Sequence, residues 1–221
     1  MDWIEQALKR GSSSLAEFES KQLLSRYGIP VTREKEGPDL EAALRVAEEI
    51  GYPVALKASG EGLLHKTEAG LVRLHLKNAA ELREAYAAVT ADPMVFKVLV
   101  QEMIHGEREL VAGLTRDPQF GPSVMFGLGG IFTEVLKDVV FRVAPLSRWD
   151  AFQMMEELRG WEILGAVRGM PPVDRETLAD ILIALGKVGL ENPTIREIDI
   201  NPLIIRGDGR SVAVDALIVL G

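Results

Sequence analysis

Cysteine is missing from all 221 residues. That excludes a thiolate nucleophile, a disulfide framework and any cysteine-ligated zinc or iron–sulfur centre, and it fits a reducing compartment. Histidine is scarce too: His65, His75 and His105 are the whole supply. Basic charge is in deficit, with 25 Lys and Arg against 33 Asp and Glu and a formal net charge of −8. Such a chain gains little from counterion release, so nucleic acid is not expected as its main ligand. Long apolar runs are absent as well. Stretches such as VAVDALIVL, 212–220, fall far short of the ~20 residues that span a bilayer. The opening MDWIEQALKR places acids before bases and has no apolar centre, unlike a secretory signal. Neither GxxxxGK[ST] nor GxGxxG occurs. These absences lead to the expectation of a cytoplasmic protein with no membrane or nucleic-acid partner.

What is present is a mixture of helical and strand patterns. The spacing of Leu15, Phe18, Leu23 and Leu24 predicts a helix over 12–26, with Ser14 and Glu17 as a capping box. A second helix is predicted over 38–50, with Asp39 near its N-cap and Gly51 closing it. Further helices are expected over 80–89, 148–158 and 174–190, the last capped by Asp174. Strands are expected over 52–58, 72–76, 94–102, 108–115, 123–127, 134–136, 195–200 and 211–220. Asp208-Gly209 marks a tight turn between the last two. The lack of strict alternation points to an α+β protein. A break near 101–106 would give an N-terminal helical segment over 1–26, a small lobe over 27–100 and a large lobe over 101–221, the lobes sharing a cleft.

Several residue groups have the character of a site. Lys57 ends an apolar strand, where a charge needs a partner or an anion. His65 and Lys66 sit in a loop bounded by Gly60, Gly62 and Gly70. Glycines let main-chain N–H groups approach an oxyanion, and lysine supplies a point charge. Gln101, Glu102, Met103 and Ile104 follow a strand directly, a polar pair and an apolar pair suited to a flat aromatic ligand. The glycines at 127, 129 and 130 call for close approach by another strand or a phosphate. Glu197, Asp199 and Asn201 alternate on one strand and so share a face. Asp215 sits in the next, apolar strand, where an unpartnered charge is costly. Together they form a hard-oxygen set suited to Mg²⁺.

The stretch AEEIGYPVALKAS, with the lysine at its strand end, and the segment QEMI resemble the ATP-grasp fold. GLLHKTEAGLV, the run from Val100 to Leu146, REIDINPLII and AVDALIVL resemble, in this order, the β subunit of NDP-forming acyl-CoA synthetases. Those enzymes are relatives of succinyl-CoA synthetase. The resemblance implies two α+β lobes with the nucleotide site in the cleft between them. It implies a ligase subunit that interconverts acyl-CoA, ADP and phosphate with a free acid, CoA and ATP. The family's phosphoryl group travels on a histidine. By the same resemblance Lys57 and Lys66 hold phosphates, Gln101, Glu102, Met103 and Ile104 hold adenine, and Glu109 meets the ribose. Asp199, Asn201 and Asp215 bind Mg²⁺ with Glu197 in support, and His65 accepts or steadies the phosphoryl group. The cofactors implied are ATP or ADP with Mg²⁺. The partner implied is an α subunit carrying the CoA-binding and phosphohistidine domains, in an α2β2 assembly. Two other readings compete: an ATP-sensing module without catalysis, and an ATP-grasp ligase that uses an acyl-phosphate.

Overall fold

The computed structural model describes residues 3–60, 70–130 and 137–221. The chain forms two compact units, one of Met1–Leu15, Glu19–Val31 and Ile104–Gly221, the other of Ala16–Phe18 and Thr32–Met103. Among the described residues no helix is long and apolar enough to cross a membrane.

The smaller unit is built on β1 (Glu34–Gly37), β2 (Val54–Ser59), β3 (Val72–Leu76) and β4 (Lys97–Glu102), in the antiparallel order β1-β4-β2-β3. Two helices, α3 (Leu40–Ile50) and α4 (Ala79–Val89), cover one face. Strand alternation puts Val54, Leu56 and Ala58 of β2 on that face with Val98 and Val100 of β4. They bury against Ala43, Leu44 and Ala47 of α3 and Leu82, Ala85 and Val89 of α4. Each large apolar side chain so enclosed contributes about 1.5–3 kcal/mol. Both helices start on side-chain caps, Asp39 accepting from the Ala42 amide at 2.7 Å and Asn78 from the Glu81 amide at 3.0 Å.

The larger unit carries β5 (Arg108–Asp117), β6 (Gly121–Leu128), β7 (Val139–Val143), β8 (Ile195–Ile205), β9 (Ser211–Ala213) and β10 (Ala216–Leu220). Their order is β10-β8-β5-β6-β7, antiparallel throughout, with β9 also paired to β8. Helices α1 (Trp3–Lys9), α5 (Arg148–Glu156), α6 (Arg175–Glu191) and, from Glu19 onward, α2 (Glu17–Arg26) complete it. Leu178, Leu182 and Leu185 of α6 pack in one core with Leu110, Ala112, Leu114, Val124, Phe126, Ile198 and Ile200 of the sheet. Since those sheet residues alternate with Glu109, Val111, Gly113, Glu197, Asp199 and Asn201, the latter share the opposite face.

The structure departs from the predicted elements in several places. The helix expected over 12–26 starts only at Glu17. Ser14 instead bridges Val219, the Leu15 amide donates to the Ile218 carbonyl at 2.9 Å, and the Leu220 amide donates to the Ser13 carbonyl at 2.7 Å. These bonds to the β10 edge outweigh a local capping box, which does not form. The strand expected over 211–220 is interrupted at Val214 and Asp215. α1, β1 and β7 carry no strong periodicity and are additions to the sequence reading. The strand expected over 134–136 lies outside the described residues. The Asp208-Gly209 turn forms as expected: Gly209 adopts φ 85°, and the Arg206 amide donates to the Arg210 carbonyl at 2.8 Å.

Candidate functional site

In the smaller unit the strand face away from α3 and α4 is polar and buried. Ala55, Lys57 and Ser59 of β2 lie on it, in register with Gln101, Leu99 and Lys97 of β4. On β1, Glu36 opposes Leu99 and Glu34 opposes Gln101. The Lys57 ammonium meets a Glu17 carboxylate oxygen at 2.6 Å, with the two side chains only 7% and 4% exposed. Glu36 accepts from Lys97 Nζ at 2.8 Å and from Ser59 Oγ at 2.6 Å. Buried charges persist only when paired, and this face pairs them in succession. The strand end thus places a fixed cation, Lys57, on the same side as Gln101.

Glu102 points to the other side. Its carboxylate accepts from the Arg33 amide and from Arg33 Nε, both at 2.9 Å. Met103 and Ile104 then leave the strand half-buried. Among the described residues no hydrogen bond occupies their main-chain groups.

In the larger unit the helix-free sheet face collects Glu109, Asp199 and Asn201. Asp215 stands beside them: the Asn201 amide donates to the Asp215 carbonyl at 3.3 Å, and the Asp215 charge bears on Asp199. Gly113 lies directly opposite Asp199, and a Cβ there would come within 2.4 Å of the Ile198 carbonyl oxygen. Glycine is therefore what lets β5 run so close to β8. The glycines after β6 serve the same end. A Cβ on Gly127 would lie 2.6 Å from the Asp138 carbonyl oxygen, and one on Gly129 2.7 Å from the Glu109 carbonyl carbon. Of the two readings of this run, close approach by another strand holds for Gly127 and Gly129.

Burial, with Glu197 and then Asp215 nearby, pushes the Asp199 carboxyl up to about 6 from an ordinary 3.8. Crowded carboxylates of this kind suit a divalent cation that neutralises them. Among the described residues no three acidic or histidine side chains converge closely enough to chelate a metal by themselves. Two carboxylates and an amide nonetheless fit Mg²⁺, which takes one or two carboxylates and completes its shell with water and phosphate oxygens.

The raised Asp199 value has a consequence for stability. Between pH 3.8 and about 6 the folded chain holds a proton that the unfolded chain releases. Folding therefore takes up protons in that window, and stability declines as pH rises through it. With chelator present, Asp199→Asn is expected to be more stable than the parent near neutral pH and to match it once the pH falls below 3.8. Urea midpoints at both ends check this, and equal midpoints near neutrality would contradict it.

Of the residues singled out in the sequence, Lys57 and Gln101 share one face in the smaller unit, and Glu109, Asp199, Asn201 and Asp215 share one face in the larger. His65 and Lys66 lie outside the described residues. The sequence does not reveal Glu17, Glu36 and Arg33 as the partners that fix Lys57, Lys97 and Glu102. Nor does it mark Lys21, which is fully buried. Arg33 and Glu36 lie in the charged run REKE and Glu17 and Lys21 in the polar stretch EFESKQ, so nothing local marks them as partners.

A model of the ATP-grasp domain matches residues 6–220. This chain belongs to the ATP-grasp family. Within it, the chain is 44% identical over 98% of its length, and 96% of the relative's, to the β subunit of acetate–CoA ligase (ADP-forming) I from Pyrococcus furiosus. It is 38% identical over 99% of its length to acetate–CoA ligase (ADP-forming) I from Archaeoglobus fulgidus, a longer polypeptide of which it matches 32%. Among solved structures it superposes with a TM-score of 0.89 and 44% identity on acetyl-coenzyme A synthetase 1 of Ca. Korarchaeum cryptofilum, covering 100% of this chain and 99% of that one. That structure holds coenzyme A and Mg-AMPPCP, with a phosphohistidine segment pointing towards the nucleotide-binding site. The two antiparallel sheets described above are thus those of an ATP-grasp domain.

Proposed function

We propose that this chain is the nucleotide-binding β subunit of an ADP-forming acyl-CoA synthetase, the ligase that interconverts acyl-CoA, ADP and phosphate with a free acid, CoA and ATP. The observation that carries the reading is the oxygen set of Asp199, Asn201 and Asp215 on one sheet face, in a chain that aligns from end to end with ADP-forming ligase β subunits. Phosphoryl transfer asks a protein mainly for positioning and charge neutralisation. Asp199, Asn201 and Asp215 would hold Mg²⁺, with Glu197 beside them. The bound ion would neutralise phosphate charge. Lys57, held in place by Glu17, and Lys66 would hold phosphates. Gln101, Glu102, Met103 and Ile104 would receive the base, and Glu109 the ribose. His65 would accept the phosphoryl group or steady the partner's phosphohistidine, a role that rests on the family resemblance.

The relatives support a partner. One is named a β subunit, and another carries the matched third within a single longer chain. We assign CoA binding, acid binding and the travelling histidine to an α-type partner polypeptide, in an α2β2 complex acting in the cytoplasm. Titration calorimetry of the full chain checks the division of labour. Saturable binding of Mg·ADP is expected, and no heat from CoA or a short carboxylic acid. Saturable CoA binding, or no binding of Mg·ADP, would contradict it.

A further inference from the structure

Lys21 sits on α2 with 0% exposure, a rare state for lysine. Its ammonium donates to the Val214 carbonyl at 2.9 Å. Val214 and Asp215 are the two residues by which the chain leaves β9 and enters β10. Two main-chain bonds brace this step. The Val214 amide donates to the Pro202 carbonyl at 3.1 Å, and the Asn201 amide to the Asp215 carbonyl at 3.3 Å. Lys21 supplies the side-chain brace, on the peptide unit whose far end is the Asp215 nitrogen. All these residues belong to the larger unit.

We propose that Lys21 is a positioning residue for the metal site, setting the Asp215 carboxylate by holding the Val214 carbonyl. The proposal rests on the reading of Asp199, Asn201 and Asp215 as Mg²⁺ ligands. Desolvating an ammonium is costly, so a side chain that only filled space here would be better as Leu or Met. A charged donor gives a hydrogen bond roughly twice as strong as a neutral one, which is what a two-residue step between strands requires if its carboxylate is to hold one orientation. Partners that orient metal ligands from behind change metal affinity by about 10–100-fold when removed.

The test measures ADP binding to the full chain by calorimetry at graded Mg²⁺ and in chelator. Lys21→Met keeps the length of the stem and removes the donor. It is expected to weaken the Mg²⁺-dependent part of ADP affinity by about tenfold or more and to leave affinity in chelator unchanged. A purely structural role would move both together or neither. Should the methionine variant fail to fold, Lys21→Gln carries the test. Its amide still donates but reaches less far, and a several-fold loss confined to the Mg²⁺-dependent part is expected. Unchanged Mg²⁺ dependence in a folded variant, or equal losses with and without metal, overturns the proposal. Asp215→Asn, run alongside, separates the two readings. If it too leaves the Mg²⁺ dependence unmoved, the metal-site reading has failed. If it weakens that dependence and the Lys21 variants do not, only the Lys21 proposal has failed.

Discussion

Lys57→Met is expected to destabilise the chain by about 3–5 kcal/mol, the usual penalty for removing one member of a buried ion pair. Lys57 and Glu17 meet at 2.6 Å with side chains 7% and 4% exposed. Without the lysine, Glu17 loses that cation while remaining enclosed, and less of its desolvation is offset. A well-packed neutral pair is often as stable as the ion pair it replaces. Lys57→Met combined with Glu17→Gln should therefore regain much of the lost stability.

Nucleotide binding should behave differently. The double variant folds but lacks the cation proposed for phosphate, so its Mg·ADP affinity should stay low. Urea denaturation and calorimetry on parent, single and double variants separate the two effects. A single variant within about 0.5 kcal/mol of the parent, the range of a neutral surface change, would show that the pair does not matter to the fold. Full affinity in the double variant would remove Lys57 from the nucleotide site.

Features set by neighbours in sequence were legible. Asp39 and Asp174 cap the helices they precede, each accepting from the amide three residues on. The α+β class followed from the same local patterns, and both sheets are antiparallel. The face shared by Glu197, Asp199 and Asn201 followed from strand alternation alone, and β8 carries them so.

What was not legible depends on distant chain. Ser14 and Glu17 have the spacing of a capping box, yet Ser14 is taken by Val219 at the other end of the sequence. The apolar run 212–220 gives no sign of a break at Val214. The lysine that braces that break lies 193 positions away. Glu102 reads as a strand-end polar residue facing a ligand, but Arg33, 69 positions earlier, takes its carboxylate. Lys57 reads as a cation awaiting an anion. Glu17, 40 positions away, supplies one within the protein. In each case the residue type was informative and the partner was not, because long-range pairing leaves no local period.

The second large effect concerns completeness. In the proposed reaction acyl-CoA formation needs an acid site, a CoA site and a histidine that carries the phosphoryl group from the nucleotide site to the acid, and we assign all three to a partner polypeptide. Acid, CoA and ATP incubated with the rigorously purified full chain should yield no acyl-CoA. The complex that co-purifies with this chain should form acyl-CoA, ADP and phosphate together. Acyl-CoA made by the chain alone, or a complex containing it that consumes no ATP in the presence of acid and CoA, would contradict the assignment.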